Sequence, residues 1–103
     1  MVMATRKRYT VEELRAIVRP VAEKYGVDKI YLFGSVARGD YNEYSDYDFC
    51  IESGKIRTLF VLSGFFRELR DAVGCEIDIV DKEALEDEFL DIVMREGIEL
   101  YAQ

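Results

Sequence analysis

Leu14, Ile17, Val18, Val21 and Ala22 fall three and four residues apart, the spacing that lines one face of an α-helix. Thr10-Val11-Glu12-Glu13 stands at its start and reads as a capping box, with Glu13 three residues after the cap. Gly26 is a stop signal at its end. Pro20 lies inside the pattern and is expected to kink the helix or divide it. The rhythm then shortens. Residues 29–33 and 46–52 read as strands, and residues 75–80 as a third, with Asp78 alternating with Ile77 and Ile79. A long helix is predicted over 57–73, ended by Gly74. Leu59, Leu62, Phe66, Leu69 and Val73 are expected to face the sheet, with Phe60, Val61 and Phe65 beside them. Residues 82–96 read as helical, in one or two pieces, with Leu85, Phe89, Ile92 and Val93 inward, and 98–101 as a short apolar ending. The order αβαβαβα places the chain in the α+β class, a small sheet flanked by helices forming one domain over residues 1–103.

The two rhythms leave certain polar residues in revealing places. Gly34-Ser35 follows the first strand, and residues 35–39 read as a short helical turn. A glycine there permits a sharp bend and close approach of a ligand, and the start of a helix offers free N–H groups to an anion. Ser35 adds a hydroxyl donor and Arg38 a positive charge. Asp46 and Asp48 sit two apart at the head of the second strand. They share a face, while Tyr47, Phe49 and Ile51 share the other. Like charges held together suggest a cation between them. If the strand of Asp78 lies beside theirs, three carboxylates converge, an arrangement able to hold two divalent ions.

Composition narrows the chemistry further. The chain has no histidine, so a general base must be a carboxylate, Lys, Tyr or Cys. A net charge of −7 argues against a long nucleic-acid surface and is compatible with a basic protein partner. Cys50 and Cys75 fall on opposite strand faces and read as free thiols of a reducing cytoplasm. Neither a signal peptide nor a membrane span is expected, so the predicted location is cytoplasmic.

Two rival motifs fail on their own residues. Gly34 and Gly39 match the glycines of a Walker loop, but Asp40 and Tyr41 stand where Lys and Ser or Thr are needed. A calcium loop is excluded because Phe49, Cys50 and Ile51 follow the aspartates. Blander roles compete for single residues. Arg38 could pair with Asp40 or Glu43, and Asp46 and Asp48 could form a solvated strand end. Tyr41, Tyr44 and Tyr47 are expected to pack, as are Phe60, Phe65 and Phe66, of which any left exposed would mark a partner surface.

The string Gly34-Ser35-Val36-Ala37-Arg38-Gly39 through Ser45-Asp46-Tyr47-Asp48, with a later strand aspartate, resembles the nucleotidyltransferase superfamily of DNA polymerase beta. It is most similar to the small prokaryotic branch, the minimal nucleotidyltransferases, and the likeness runs from about Thr10 to Tyr101. Phe49 stands where an aliphatic residue is usual. The resemblance implies the polymerase beta-like fold with a small mixed sheet. It implies magnesium-dependent transfer of AMP from ATP to a hydroxyl, with two Mg2+ ions held by Asp46, Asp48 and Asp78. Asp78 would also act as base. Gly34, Ser35, Arg38 and Ser45 would bind the nucleotide.

At 103 residues the chain is expected to hold no acceptor-presenting second domain, so a second copy or a separate protein is expected to cover the site. Members of this branch pair with a helical HEPN-domain ribonuclease toxin. The resemblance therefore implies an antitoxin of the MntA type that adenylylates a toxin tyrosine. Two other roles stay open: an antitoxin that neutralises its partner by binding alone, and a nucleotidyltransferase acting on a small-molecule hydroxyl, for which a homodimer would build the acceptor site.

Overall fold

A computed structural model describes residues 9–39 and 46–103. The first helix, α1, spans Val11–Tyr25. Its capping box is formed: the Glu13 N–H donates to the Thr10 hydroxyl at 3.1 Å and the Thr10 N–H to the Glu13 carboxylate at 2.8 Å. These bonds satisfy two N–H groups that the helix start would leave unpaired. Thr10→Ala is expected to lower unfolding free energy by about 1 kcal/mol, read as a drop in melting temperature of roughly 4–8 °C. Pro20 does not divide α1, which runs on to Tyr25.

Strand β1 is Lys29–Phe33, followed at once by the five-residue helix α2, Gly34–Arg38. Strand β2 is Tyr47–Glu52, one residue shorter at its start than the sequence pattern suggests. Helix α3, Leu59–Val73, is capped by the Thr58 hydroxyl and begins two residues later than expected. Strand β3 is Ile77–Asp81, shifted past Cys75. A 3-10 turn at Lys82–Ala84 precedes helix α4, Asp87–Glu96, so the C-terminal helical region is in two pieces. The apolar ending is a fourth strand, β4, Ile98–Ala102.

The sheet order is β3-β2-β1-β4, with β2 and β3 parallel and the other pairs antiparallel. It is the mixed sheet expected of the α+β class. Ile30 lies opposite Ile51, and Leu32 opposite Phe49, on the face covered by α1 and α3. There Tyr47, Phe49 and Ile51 are fully buried with Leu14, Val18, Phe65, Leu69 and Val73. Burying so many aliphatic and aromatic side chains is the main stabilising term.

Helix α3 departs from its predicted stripe. Phe65, Leu69 and Val73 are its buried residues, and Leu62 and Phe66 are partly covered. Leu59 and Phe60 are 78% and 88% exposed, and Val61 is also exposed. Spacing tells which residues share a face but not where the sheet beneath the helix ends. The first turn of α3 is left largely uncovered. Helix α4 departs similarly: Val93 is buried, whereas Phe89, Ile92 and Met94 remain exposed and Leu85 is half-buried. Cys50 is buried and Cys75 half-buried, and both are free thiols. Burial pushes the Cys50 thiol up to about 11, so it stays protonated at neutral pH. Among the described residues no helix is long and apolar enough to cross a membrane.

Candidate active site

The strand register assembles the site. Phe33, the last residue of β1, lies opposite Asp48 on β2, and Asp48 lies beside Asp78 on β3. Gly34 comes directly after Phe33, so the Gly-Ser turn, Asp48 and Asp78 form one line across the sheet. They occupy the face opposite α1 and α3. On that face the Phe33 ring meets Phe89 of α4 edge-on, with centroids 5.9 Å apart.

Gly34 has a φ of +79°, and a Cβ placed on it would collide with the Asp48 carboxylate. A side chain at residue 34 would thus face both a strained backbone and a blocked site. Only glycine lets the turn and the carboxylate come this close. Helix α2 starts at Gly34, and among the described residues no side chain caps it. Gly39 ends it, donating to the Ser35 and Val36 carbonyls.

Asp48 is half-buried and its pKa is pushed up to about 6. Burial is the main cause, the negative charges of Asp78 and Asp46 add to it, and the Arg38 guanidinium opposes it. Asp46, half-buried just before β2, and Asp78, exposed on the edge strand β3, therefore act on a common centre with Asp48. Yet among the described residues no three His, Cys, Asp or Glu side chains stand gathered as a ligand cluster. Coulomb repulsion reaches further than a coordination bond, so the two findings are consistent. The carboxylates share a field without closing around one point. As a donor set they offer only hard oxygen atoms in a strongly negative locus, which suits Mg2+.

Arg38 lies 3.7 Å from the Glu96 carboxylate at the end of α4. Both side chains are well exposed, so this ion pair contributes little to stability. Glu96 was not legible as a site neighbour, because nothing in the chain pattern ties the end of the last helix to the Gly-Ser turn. The proposed alternatives for Arg38, Asp40 and Glu43, lie outside the described residues. So do Ser45, predicted to contact the nucleotide, and Tyr41 and Tyr44, predicted to pack. Ser35 is half-buried in α2. Tyr47 does pack, fully buried, its hydroxyl accepting from the Tyr9 N–H at 3.1 Å.

A glycine turn set against an aspartate, with that aspartate in register with another on a parallel neighbour, defines a class as well as a site. Residues 14–100 match the family model of the nucleotidyltransferase domain, and the chain belongs to that family. Within it the chain is similar to the minimal nucleotidyltransferases. The protein adenylyltransferase MntA of Thermococcus cleftensis is 31% identical over 93 residues, covering 86% of this chain and 94% of that one. A solved structure described as a minimal nucleotidyltransferase is 32% identical with a TM-score of 0.74, the match covering 89% of this chain and 97% of that one. A complex of a tri-AMPylated Shewanella oneidensis HEPN toxin with its MNT antitoxin also matches, at a TM-score of 0.67 and 19% identity, over 91% of this chain and 74% of the other. At that identity the likeness is one of fold.

Proposed function

We propose that this protein is the antitoxin of a HEPN/MNT pair, a protein adenylyltransferase that moves AMP from ATP to a tyrosine hydroxyl of its HEPN toxin. The observation that carries the proposal is the line Gly34–Asp48–Asp78 across the sheet, which sets an anion-accepting turn beside paired carboxylates. The similarity to MntA of Thermococcus cleftensis supports the choice of a protein acceptor.

In this reading Gly34 and Ser35 hold the triphosphate and Arg38 adds positive charge, with Ser45 assisting. Asp46, Asp48 and Asp78 are the residues that would hold Mg2+. The metal, when bound, supplies Lewis-acid stabilisation of charge on the phosphates. Asp78 accepts the proton of the toxin hydroxyl. The hydroxyl oxygen then bonds to the α-phosphorus, the bond to the bridging oxygen of the β-phosphate breaks, and pyrophosphate leaves. The exposure of Asp78 on an edge strand suits a base that must meet an acceptor arriving from another molecule. Positioning these groups in line is the main contribution the protein makes to such a transfer.

The test uses ATP labelled at the α-phosphate, with Mg2+, this protein and the HEPN toxin. Label is expected on a toxin tyrosine with wild-type protein and none with Asp46→Asn. A folded Asp46→Asn protein that still labels the toxin would sink the proposal. So would an Asp46→Asn protein that neutralises the toxin fully without labelling it, which would assign neutralisation to binding alone.

A further inference from the structure

A cavity of about 500 Å³ lies between α3, from Leu59 to Arg70, and the edge strand β3. Leu59, Leu62, Phe66 and Ile79 give it an apolar floor and wall. Arg67 and Arg70 stand on its α3 side, and Asp78 and Asp81 on its β3 side. We propose that this groove receives an extended segment of the acceptor protein, laid along the free side of β3 so that its hydroxyl residue reaches Asp78. The inference rests on the adenylyltransferase reading given above and specifies how that acceptor is held.

Three independent features converge on an extended peptide. First, β3 is the terminal strand of the sheet, and among the described residues only β2 pairs with it. A terminal strand keeps a row of backbone N–H and C=O groups that an added strand can satisfy. Second, the same cavity includes Asp78, so a segment bound there is already beside the candidate base. The cavity opens on the α3 face and Asp48 on the other, and side chains of a strand added along β3 alternate between the two, so one can anchor in the cavity while its neighbour reaches the catalytic line. Third, its walls are chemically unlike. Leu59 is 78% exposed where a solvated residue would be polar, which suits an apolar anchor side chain. The Arg70 guanidinium sits over the Phe66 ring at 5.8 Å, and Arg67 is exposed beside it. Arg70 also lies 3.9 Å from the Asp71 carboxylate, so Arg67 carries most of the positive charge that this wall offers on a protein of net charge −7. The matching occupant is an extended segment with an apolar anchor and an acidic side chain flanking its hydroxyl residue.

The experiment combines transfer kinetics with hydrogen exchange on the complex with the HEPN toxin. The variants are Leu59→Asp and Arg67→Glu, both at exposed positions. Each is expected to raise KM for the toxin about tenfold while kcat and affinity for a non-hydrolysable ATP analogue stay unchanged. Backbone amides of β3 are expected to exchange at least about tenfold more slowly in the complex, and to lose that protection in the variants. Unchanged KM in both variants, with the toxin still labelled, would overturn the groove and leave the adenylyltransferase reading standing. Absence of label on the toxin would count against that reading, and β3 exchange in the complex would still decide the groove. Protection of β3 that grows with concentration of this protein alone would assign the groove to a second copy and overturn the proposal.

Discussion

Asp48→Asn is expected to reduce transfer roughly a thousandfold, because it removes the central charge of the site. The same substitution is expected to make the metal-free protein more stable at neutral pH. The Asp48 pKa of about 6 lies above the usual value of 3.8, so the folded protein holds this proton more tightly than the unfolded chain does. Ionised Asp48 therefore costs stability. The cost is absent below the ordinary aspartate range and complete above about pH 6. After allowance for the solvent that reaches a half-buried group, it amounts to about 1–2 kcal/mol. In thermal unfolding with a chelator at pH 8, Asp48→Asn should melt several degrees higher than wild type. The gap should close as pH falls toward 4. Added Mg2+ should raise the melting temperature of the wild type and leave the variant unmoved. A variant that melts with the wild type at every pH would show that Asp48 carries no electrostatic cost. Natural sites commonly trade stability for function in this way.

Gly34→Ala is expected to be the most damaging single-methyl change at the site. It forces an alanine into a φ of +79° and drives its Cβ into the Asp48 carboxylate. The backbone conformation alone costs about 1–2 kcal/mol. Displacement of Asp48 is expected to lower kcat about a hundredfold, since small errors in position are costly for in-line transfer. Gly39→Ala separates the two effects. Its φ of +83° imposes the same backbone strain, but a Cβ there meets nothing within 4 Å. Chemical denaturation should show a loss for both variants, at least as large for Gly34→Ala, and labelling assays a large activity loss for Gly34→Ala only. Equal activities would mean that the contact between residue 34 and Asp48 does not govern the site.

Much of this architecture was legible in residue order because the relevant signals are local. The capping box at Thr10, the stops at Gly26 and Gly74, and the alternation that turns Tyr47, Phe49 and Ile51 inward all emerged as read. The pairing of Asp48 with Asp78 followed once the two strands were set side by side. What failed was long-range. Ile98-Glu99-Leu100-Tyr101 is too short to declare itself a strand, and its pairing with β1 depends on a neighbour far away in the chain. Leu59 and Phe89 carry the right periodicity but stay largely or partly exposed, Phe89 meeting only the edge of the Phe33 ring. The ion pair of Arg38 with Glu96 arises only when α4 has docked near α2.

The placement of β4 bears on how the chain acquires its shape during synthesis. Ile30 pairs with Tyr101, so β1 remains an open edge until almost the last described residues have been made. Contacts this distant close late and slow the folding of a small protein. Until then the β1 edge offers unpaired hydrogen-bonding groups to any other nascent strand. The nascent protein is therefore expected to be most prone to aggregate just before β4 emerges from the ribosome. Chaperone dependence should fall sharply once residues 98–102 are free to pair.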